Sequence, residues 1–591
     1  MITPDATYDS GEESSGISEL DAMRHGLAHI MAEAVVKLFP EAKLGIGPWI
    51  DNGFYYDFDL PRSLSPDDLR SIEDLMRERI ATASPFQRAA ISHEAANELF
   101  AAQPYKLELI KGFADQELST YHHGNFTDLC RGPHVANTGQ VGAFKLVNVA
   151  GAYWRGDEKR PMLQRIYGTA FPTEAELSAH LERLELAKLR DHRKLGRELR
   201  LFTFSEDVGA GIPLFLPRGE VVRHLMESYV REVQTRYGYE HVWTGHLAKQ
   251  ELYVKSGHWE HYRDVMFPPM VDEDQSFMLK PMNCPSHMSL FKCEHHSYRE
   301  LPLRYAEFCT LYRYERSGEL HGLTRVRSLT QDDCHIFCTP EQVESEFSRA
   351  LSLIREVLDT YGFTDYHVRL SLRDTGSGGK YVDDVEKWTL AEAALRRALD
   401  ANGVEYIPVT GEAAFYGPKA DFLAKDVLGR VWQLSTIQVD FIQPARLGVE
   451  YIGEDGKSHT PVMLHRAVTG TTERFLGVLI EHFGGAFPVW LSPVQATVIP
   501  IADRHLDYAR QVASSLKARN IRVDVDERNE RLNAKIRDAQ LLKTPYMLVV
   551  GDHEAAATSV SIRLRNGEKR DGVSVDALCE ELVERTRSRA L

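Results

Sequence analysis

The sequence predicts a multidomain chain of mixed α+β and α/β class, with an antiparallel sheet at its centre and an open α/β sheet at its C-terminal end. Three observations carry this. At 591 residues the chain is too long for one hydrophobic core and should divide into three or four domains. The stretch Leu279 to Phe337 reads as two antiparallel strands joined by a polar loop that begins near Tyr312 and ends near Arg327. Beyond Trp490, strand and helix patterns alternate: Ala496 to Ile499, Leu506 to Arg519, Arg522 to Val525, Leu532 to Lys543, Tyr546 to Val550, Val560 to Leu564 and Val573 to Arg585. No Gly-x-Gly-x-x-Gly follows the first of those strands, which counts against a dinucleotide-binding sheet.

Composition bounds the function. Hydrophobic residues make up 43% and charged residues 26%, ordinary values for a soluble globular protein. No apolar run approaches the roughly 20 residues that span a bilayer, and the N-terminus is acidic rather than a basic signal region, so a cytoplasmic location is expected. The net charge of −16 argues mildly against nucleic acid as the obvious partner. Local basic clusters at Lys188 to Lys194 and Arg528 to Arg537 nonetheless permit an RNA ligand. Seven scattered cysteines fit reduced thiols and metal ligation better than a disulfide framework.

Residues 1–20, with Asp5, Asp9, Glu12 and Glu13 among Ser and Gly, read as a disordered acidic tail. Met23 to Val35 follows as an apolar-periodic helix on which His25 and His29, one turn apart, share a face. A hundred or so residues later Cys130 and His134 stand at Cys-x-x-x-His spacing. These four are zinc-ligand types, so a metal site is one reading and a metal-free cluster the other. Thr173 to Leu199 has leucines at helical spacing and few breakers, a linker helix whose basic end either touches RNA or is simply a solvated face.

The centre opens with the turn Gly209 to Pro213 and a helix from Val221 to Tyr237. Cys284, between Pro281 and Pro285, offers a soft ligand on a stiff backbone. Arg313 and Glu315 lie two apart on an apparent strand, and Arg325 and Arg327 return on its neighbour, so one hairpin gathers arginines suited to a polyphosphate. An exposed hairpin laced with ion pairs fits the same spacing. Further on, Glu341 to Tyr361 and Trp388 to Asn402 read as helices; Val368 to Leu372, Glu412 to Phe422 and Trp432 to Phe441 read as strands.

Met282-Asn283-Cys284-Pro285, the strand-loop-strand with Arg313 and Glu315, the following Gln331-Asp332-Asp333-Cys334-His335, and the downstream Gly470-Thr471-Thr472-Glu473-Arg474 resemble, in order and spacing, a class II aminoacyl-tRNA synthetase. The closer resemblance is to the threonyl-tRNA synthetase family, and it runs from about Met23 through most of the chain. It implies an editing domain at 21–172, a linker helix at 173–200, a class II antiparallel-sheet catalytic domain at 201–488 and an α/β anticodon-binding domain at 489–591. Bacterial members often begin with a small ubiquitin-like domain, for which the acidic tail leaves no room.

The resemblance also implies roles. Cys284, His335 and His465 would hold one Zn²⁺ with an open position for threonine, and Gln331, Asp333, Tyr416 and Gln433 would line the threonine pocket. Arg313, Glu315, Arg325, Gln438, Thr471 and Arg474 would bind ATP, which enters with Mg²⁺, and His258 would relay a proton when the ribose of tRNA(Thr) attacks. His25, His29, Cys130 and His134 would hydrolyse mischarged seryl-tRNA(Thr), without metal. Serine differs from threonine by one methyl, which a pocket discriminates by only about 1–3 kcal/mol. Asn529, Glu554 and Arg563 would read the anticodon, and a homodimer is expected, although Gly245 stands where the family's first motif carries proline. Rival readings are a related synthetase for proline or serine and an RNA-binding regulator without ligase activity. Ser286, Ser435, Thr471 and Gln443 depart from the family's usual residues near the pocket, which raises the further reading of a specialised second copy with altered inhibitor sensitivity.

Overall fold

In the computed structural model, which describes residues 18–113, 116–157, 159–376 and 380–591, the chain divides into two units, Met1–Glu185 and Leu186–Leu591. No helix among the described residues is long and apolar enough to cross a membrane. Residues 1–17 of the predicted acidic tail lie outside the described residues, and the tail's predicted end is corrected: Ser18 is already a helix cap. Its hydroxyl accepts the N–H of Asp21 while the Asp21 carboxylate accepts the N–H of Ser18, so α1 (Glu19–Leu38) starts four residues before the apolar periodicity suggests.

Almost every residue of α1 from Ala22 to Val35 is buried, so the helix is the core of the first unit rather than its cover. Against it packs a sheet with the order Lys43–Leu44, β1 (Gly53–Asp59), then the last and third-from-last elements of the unit, β4 (Met162–Phe171) and β3 (Ala143–Tyr153). A second, three-stranded sheet joins Gln87–Ile91, β2 (Leu118–His123) and Phe126–Leu129. Cys130 and His134 follow it directly.

The predicted single linker helix is two helices, α2 (Glu174–Arg190) and α3 (His192–Glu198). The break falls at Asp191, whose carboxylate accepts the Arg193 N–H as an N-cap and also pairs with the Arg193 side chain. His192 then locks α3 in place: its Nδ1 donates to Glu481 at 2.6 Å and its Nε2 accepts the Leu323 N–H at 3.0 Å. Both ring nitrogens are used, so the trio Asp191, His192 and Glu481 is a structural joint.

The second unit is built on an eight-stranded sheet in the order Glu240–His241, β5 (Leu303–Tyr312), β6 (Ser328–Cys338), β9 (Val462–Ala467), β8 (Val431–Asp440), β7 (Lys419–Lys425), Tyr366–Leu372 and the edge Tyr406–Thr410.

 The interior neighbours from β5 across to Tyr366–Leu372 all pair antiparallel, as the sequence predicts. Alternation along the strands sends Ala306, Cys334, Ile336, Ile437, Val439 and Leu464 into the main core against the helices Pro217–Arg236, Val343–Thr360, Val385–Ala401 and Thr472–Phe483. The opposite face carries Glu307, Asp333, His335, Gln438, Asp440 and His465, and this is where the site forms.

Two predicted strand assignments are corrected. Arg313 and Glu315 lie past the end of β5, and Arg325 and Arg327 lie before the start of β6; the Arg313 N–H still donates to Arg327 O at 2.9 Å, so the hairpin stays closed while its side chains gain the freedom of a loop. Glu412 to Phe422 is strand only from Lys419 onward, because Gly417 and Pro418 turn the chain ahead of β7. The C-terminal sheet has the order Val523–Val525, Ala496–Pro500, Tyr546–Val550, Ser559–Leu564, Lys569–Ser574, parallel across the first three strands and antiparallel after. The last strand and the short helix Asp552–Ala557 are missing from the sequence reading, both being too short and polar to show a period.

Candidate functional site

Register builds the central site. His335 on β6 stands opposite His465 on β9, which stands opposite Gln438 on β8, so three side chains from three adjacent strands line up across the sheet. Cys284 reaches the same place from the first turn of the helix Cys284–Phe291, whose second residue is Pro285. One ligand atom from each of Cys284, His335 and His465 falls within 4.8 Å of the others, and all three residues are buried.

The donor chemistry of this set fits zinc. One sulfur and two imidazole nitrogens is a working zinc set with a position left for substrate. His335 Nε2 lies 3.1 Å from His465 Nδ1, and the far nitrogen of His465 is backed by Asp440 at 3.0 Å, the usual way a ligating histidine is oriented. Burial pushes the Cys284 thiol well above its ordinary range and the His335 imidazole well below its own. His258 sits beside them, its Nε2 3.4 Å from Cys284 Sγ and its Nδ1 2.8 Å from Ser256 Oγ. Burial, followed by the neighbouring His465 and His261, holds His258 down to about 3, so it is a neutral imidazole at pH 7.

Around this set lie the predicted threonine contacts. Asp333 Oδ1 is 3.9 Å from His335 Nε2, the Tyr416 ring packs 4.9 Å from that of His465, and Tyr416 Oη donates to Gln438 at 3.3 Å. Gln331 is bridged to Thr471, tying the β6 strand to the loop before the helix Thr472–Phe483. Gln433 reaches the same face through a bulge in β8: Ser435 pairs with Phe422 but Gln433 with Leu423, leaving Leu434 unopposed. Its amide donates to Asp421 at 2.8 Å, a fully buried carboxylate that also receives Arg369, Ser371, Lys419 and Thr436. Asp421, Asp440 and Lys419 went unread in the sequence, although Lys419-x-Asp421 and Gln438-x-Asp440 each share one strand face.

Two arginines wait for an anion. Among the described residues neither Arg313 nor Arg474 pairs with a carboxylate, and the Nε of each is buried without a partner. Burial alone lowers the Arg474 guanidinium, the mark of a cation deprived of solvent and of counter-charge. Arg325 differs: it bonds Glu315 at 2.8 Å and Glu319 at 2.7 Å, so it is already engaged. Thr471 caps the helix Thr472–Phe483 by accepting the Arg474 N–H, which sets the direction of the Arg474 side chain.

In the first unit, His25 and His134 both stand 3.3 Å from Cys130 Sγ, and the rings of His25 and His134 stack at 4.1 Å. His29 completes the group, with the four ligand atoms within 4.8 Å of one another. Burial drives His25 down to about 4, His29 and His134 well below the ordinary imidazole range, and Cys130 up to about 12, so the cluster is uncharged at pH 7. The sequence reading missed the polar floor below it: Asp128 receives Lys106 at 2.6 Å and Tyr56 at 2.5 Å and lies 4.0 Å from His29, all buried.

The three predicted anticodon residues are not brought together by any contact. Glu554 holds Ser561 and the Gly551 N–H, Arg563 stands two residues beyond Ser561 on the same strand with its Nε buried and unpartnered, and Asn529 lies exposed in the loop after Val523–Val525. Asn529 and Glu554 both follow the carboxyl ends of parallel strands, where open α/β sheets hold ligands.

Comparison with known proteins agrees with this partition. The profile of the tRNA synthetase class II core domain (G, H, P, S and T) matches residues 267–483, that of the anticodon binding domain 495–585, and that of the threonyl and alanyl tRNA synthetase second additional domain 118–167. The chain is 63% identical over 576 residues to a threonine–tRNA ligase of Rubrobacter xylanophilus, covering 96% of this chain and 90% of that protein. To a threonine–tRNA ligase of Thermus thermophilus it is 50% identical, covering 96% and 89%. Among solved structures, the RNA binding domain of threonyl-tRNA synthetase from Cryptosporidium parvum matches with a TM-score of 0.64 at 38% identity, covering 67% of this chain and 98% of that one.

Proposed function

The chain belongs to the threonine–tRNA ligase family, and we propose that it activates threonine with ATP, transfers it to tRNA(Thr), and removes serine attached by mistake. It carries the family's class II catalytic core, anticodon-binding domain and second additional domain. The observation that supports the reading best is the convergence of Cys284, His335 and His465 in one buried row beside Asp333 and Gln438.

Threonyl-adenylate forms when the threonine carboxylate attacks the α-phosphate of ATP and pyrophosphate leaves. Arg313 holds the α-phosphate and Arg474 the terminal phosphate; the Nε of each is buried without a partner and neither pairs with a carboxylate among the described residues, so the substrate supplies the counter-charge. Arg325 joins them by exchanging Glu315 or Glu319 for a phosphate oxygen. Glu315 is then left for the adenine side, with Gln438 and Thr471 lining the remaining nucleotide wall. Mg²⁺ enters with ATP. Zinc held by Cys284, His335 and His465 would supply a Lewis-acid position for the amino group and hydroxyl of threonine. Asp333 accepts the hydroxyl hydrogen, and Gln331, Tyr416 and Gln433 enclose the side chain. Valine leaves the hydroxyl partners unmet and is rejected strongly, whereas serine keeps them. In the transfer step His258, neutral and hydrogen-bonded to Ser256, accepts the ribose proton.

Serine admitted by that pocket is removed in the first unit. The neutral His25, His29 and His134 with Cys130 position water without metal, over the Lys106–Asp128 pair. Asn529, Glu554 and Arg563 read anticodon bases. A cytoplasmic homodimer is part of the reading; the exposed apolar side chains of Trp243, two residues before Gly245, and of Val271 support a subunit contact. The test is aminoacylation of tRNA(Thr) together with deacylation of seryl-tRNA(Thr). Arg313→Ala should cut threonine-dependent ATP–pyrophosphate exchange at least about 100-fold, and His134→Ala should abolish deacylation while sparing exchange. Wild-type protein that shows no exchange with threonine overturns the proposal.

A further inference from the structure

We propose that His287 and Glu307 are positioning residues for the metal ligand His335, a buried histidine and carboxylate that turn its Nε2 toward Cys284 and His465. This rests on the zinc reading of the central set. His287 lies one turn after Cys284 on the same short helix and is fully buried. Its Nδ1 is 2.8 Å from His335 Nδ1, and its Nε2 is 3.1 Å from Glu307 Oε2. On the far side His335 Nε2 is 3.1 Å from His465 Nδ1, and His465 Nε2 is 3.0 Å from Asp440 Oδ2. Glu307, His287, His335, His465 and Asp440 therefore form one buried line with a carboxylate at each end.

Proton counting gives that line a direction. Each neutral imidazole carries one proton, and an ionised carboxylate only accepts. For His335 Nε2 and His465 Nδ1 to offer lone pairs to a cation, both protons must sit on the outward nitrogens. His465 Nε2–H then donates to Asp440, His335 Nδ1–H to His287 Nδ1, and His287 Nε2–H to Glu307. The reverse order closes the gap between His335 and His465 with a hydrogen bond and removes a ligand. Two terminal acceptors favour the open order, which is the arrangement by which outer partners tune a metal-bound imidazole. One histidine ligand is thus backed directly by a carboxylate and the other through a second histidine.

Glu307 is built for that post. Its oxygens receive the Thr244 N–H at 2.8 Å, the Thr244 hydroxyl at 2.9 Å and the Asn283 amide at 2.8 Å. Asn283 Nδ2 and His287 Nε2, 2.9 Å apart, both donate to Glu307 Oε2, and the Asn283 oxygen accepts Lys280 at 3.0 Å, so the amide cannot turn. Thr244 precedes Gly245, which places the anchor of the line on the segment expected to form the dimer contact.

The test is zinc retention by the full-length protein against a colorimetric chelator, with the visible absorption of the cobalt-substituted protein and the melting temperature of the metal-stripped protein read alongside. Glu307→Gln keeps the shape and loses the charge; His287→Ala removes the link; His287→Asn leaves an acceptor near the Nδ1 position. The first two should weaken zinc retention by about 10- to 100-fold and shift the cobalt bands, and His287→Asn should recover most of the loss. A merely structural role lowers the melting temperature of the stripped protein without moving the cobalt bands, and that result overturns the proposal. Unchanged retention in both Glu307→Gln and His287→Ala overturns it as well. Wild-type protein that holds no zinc removes the central-site reading itself, and the proposal falls with it.

Discussion

Two buried side chains make separable predictions at the residue scale. Gln443 is fully buried, and neither its amide oxygen nor its amide nitrogen has a partner among the described residues. An unmet buried polar group costs about 1–3 kcal/mol, so Gln443→Leu should raise the midpoint of urea unfolding by a corresponding amount. Glu473 is different, because its environment moves its ionisation. Burial pushes its carboxyl up to about 7, against hydrogen bonding from the Thr330 N–H and the charge of Arg223. The unfolded chain loses that proton near 4.5, so between 4.5 and about 7 the folded state holds a proton the unfolded state lacks, and stability falls as pH rises. Glu473→Gln should flatten this window, removing a loss of up to about 3 kcal/mol, measured as unfolding free energy against pH. Legibility at this scale followed residue type. Cys284 was legible as a soft ligand from its type, whereas His335 and His465 joined it only through the family resemblance; Glu307, Asp440 and Asp128 were not legible, because a carboxylate is common and its partners arrive from distant segments.

Elements were legible where a period ran long enough and hidden where one residue broke it. The central hairpin and the alternation of the C-terminal sheet were legible in residue patterns, whereas the antiparallel sheet that extends the hairpin was implied by the family resemblance. The break between the two linker helices turns on Asp191 alone, which caps from within a run that otherwise reads as continuous helix. The bulge in β8 is equally silent, since it depends on how Leu423 and Phe422 pair with residues ten positions and more away. Thr471 shows what a single cap contributes. It starts the helix Thr472–Phe483 and accepts the N–H of Arg474, whose side chain pairs with no carboxylate among the described residues. Thr471→Ala should cost about 1 kcal/mol of stability and raise the KM for ATP in pyrophosphate exchange with little change in that for threonine. Thr471→Ser, which keeps the hydroxyl, should restore both.

At the scale of the whole molecule, two units carry two chemistries whose local charge differs from the chain's net charge of −16. The first unit holds a neutral histidine cluster over a buried Lys106–Asp128 pair; the second holds a row of metal-type ligands and two arginines that pair with no carboxylate among the described residues. Local charge of this kind is hidden in the chain's composition, which alone pointed away from nucleic acid. The central claim is that Cys284, His335 and His465 form one zinc site that selects threonine. Zinc content per chain, determined together with amino-acid-dependent ATP–pyrophosphate exchange for wild type and Cys284→Ala, tests it most directly. One zinc per chain and exchange with threonine but not valine are expected, both lost in Cys284→Ala; metal-free wild-type protein, or exchange indifferent to the substitution, would contradict this.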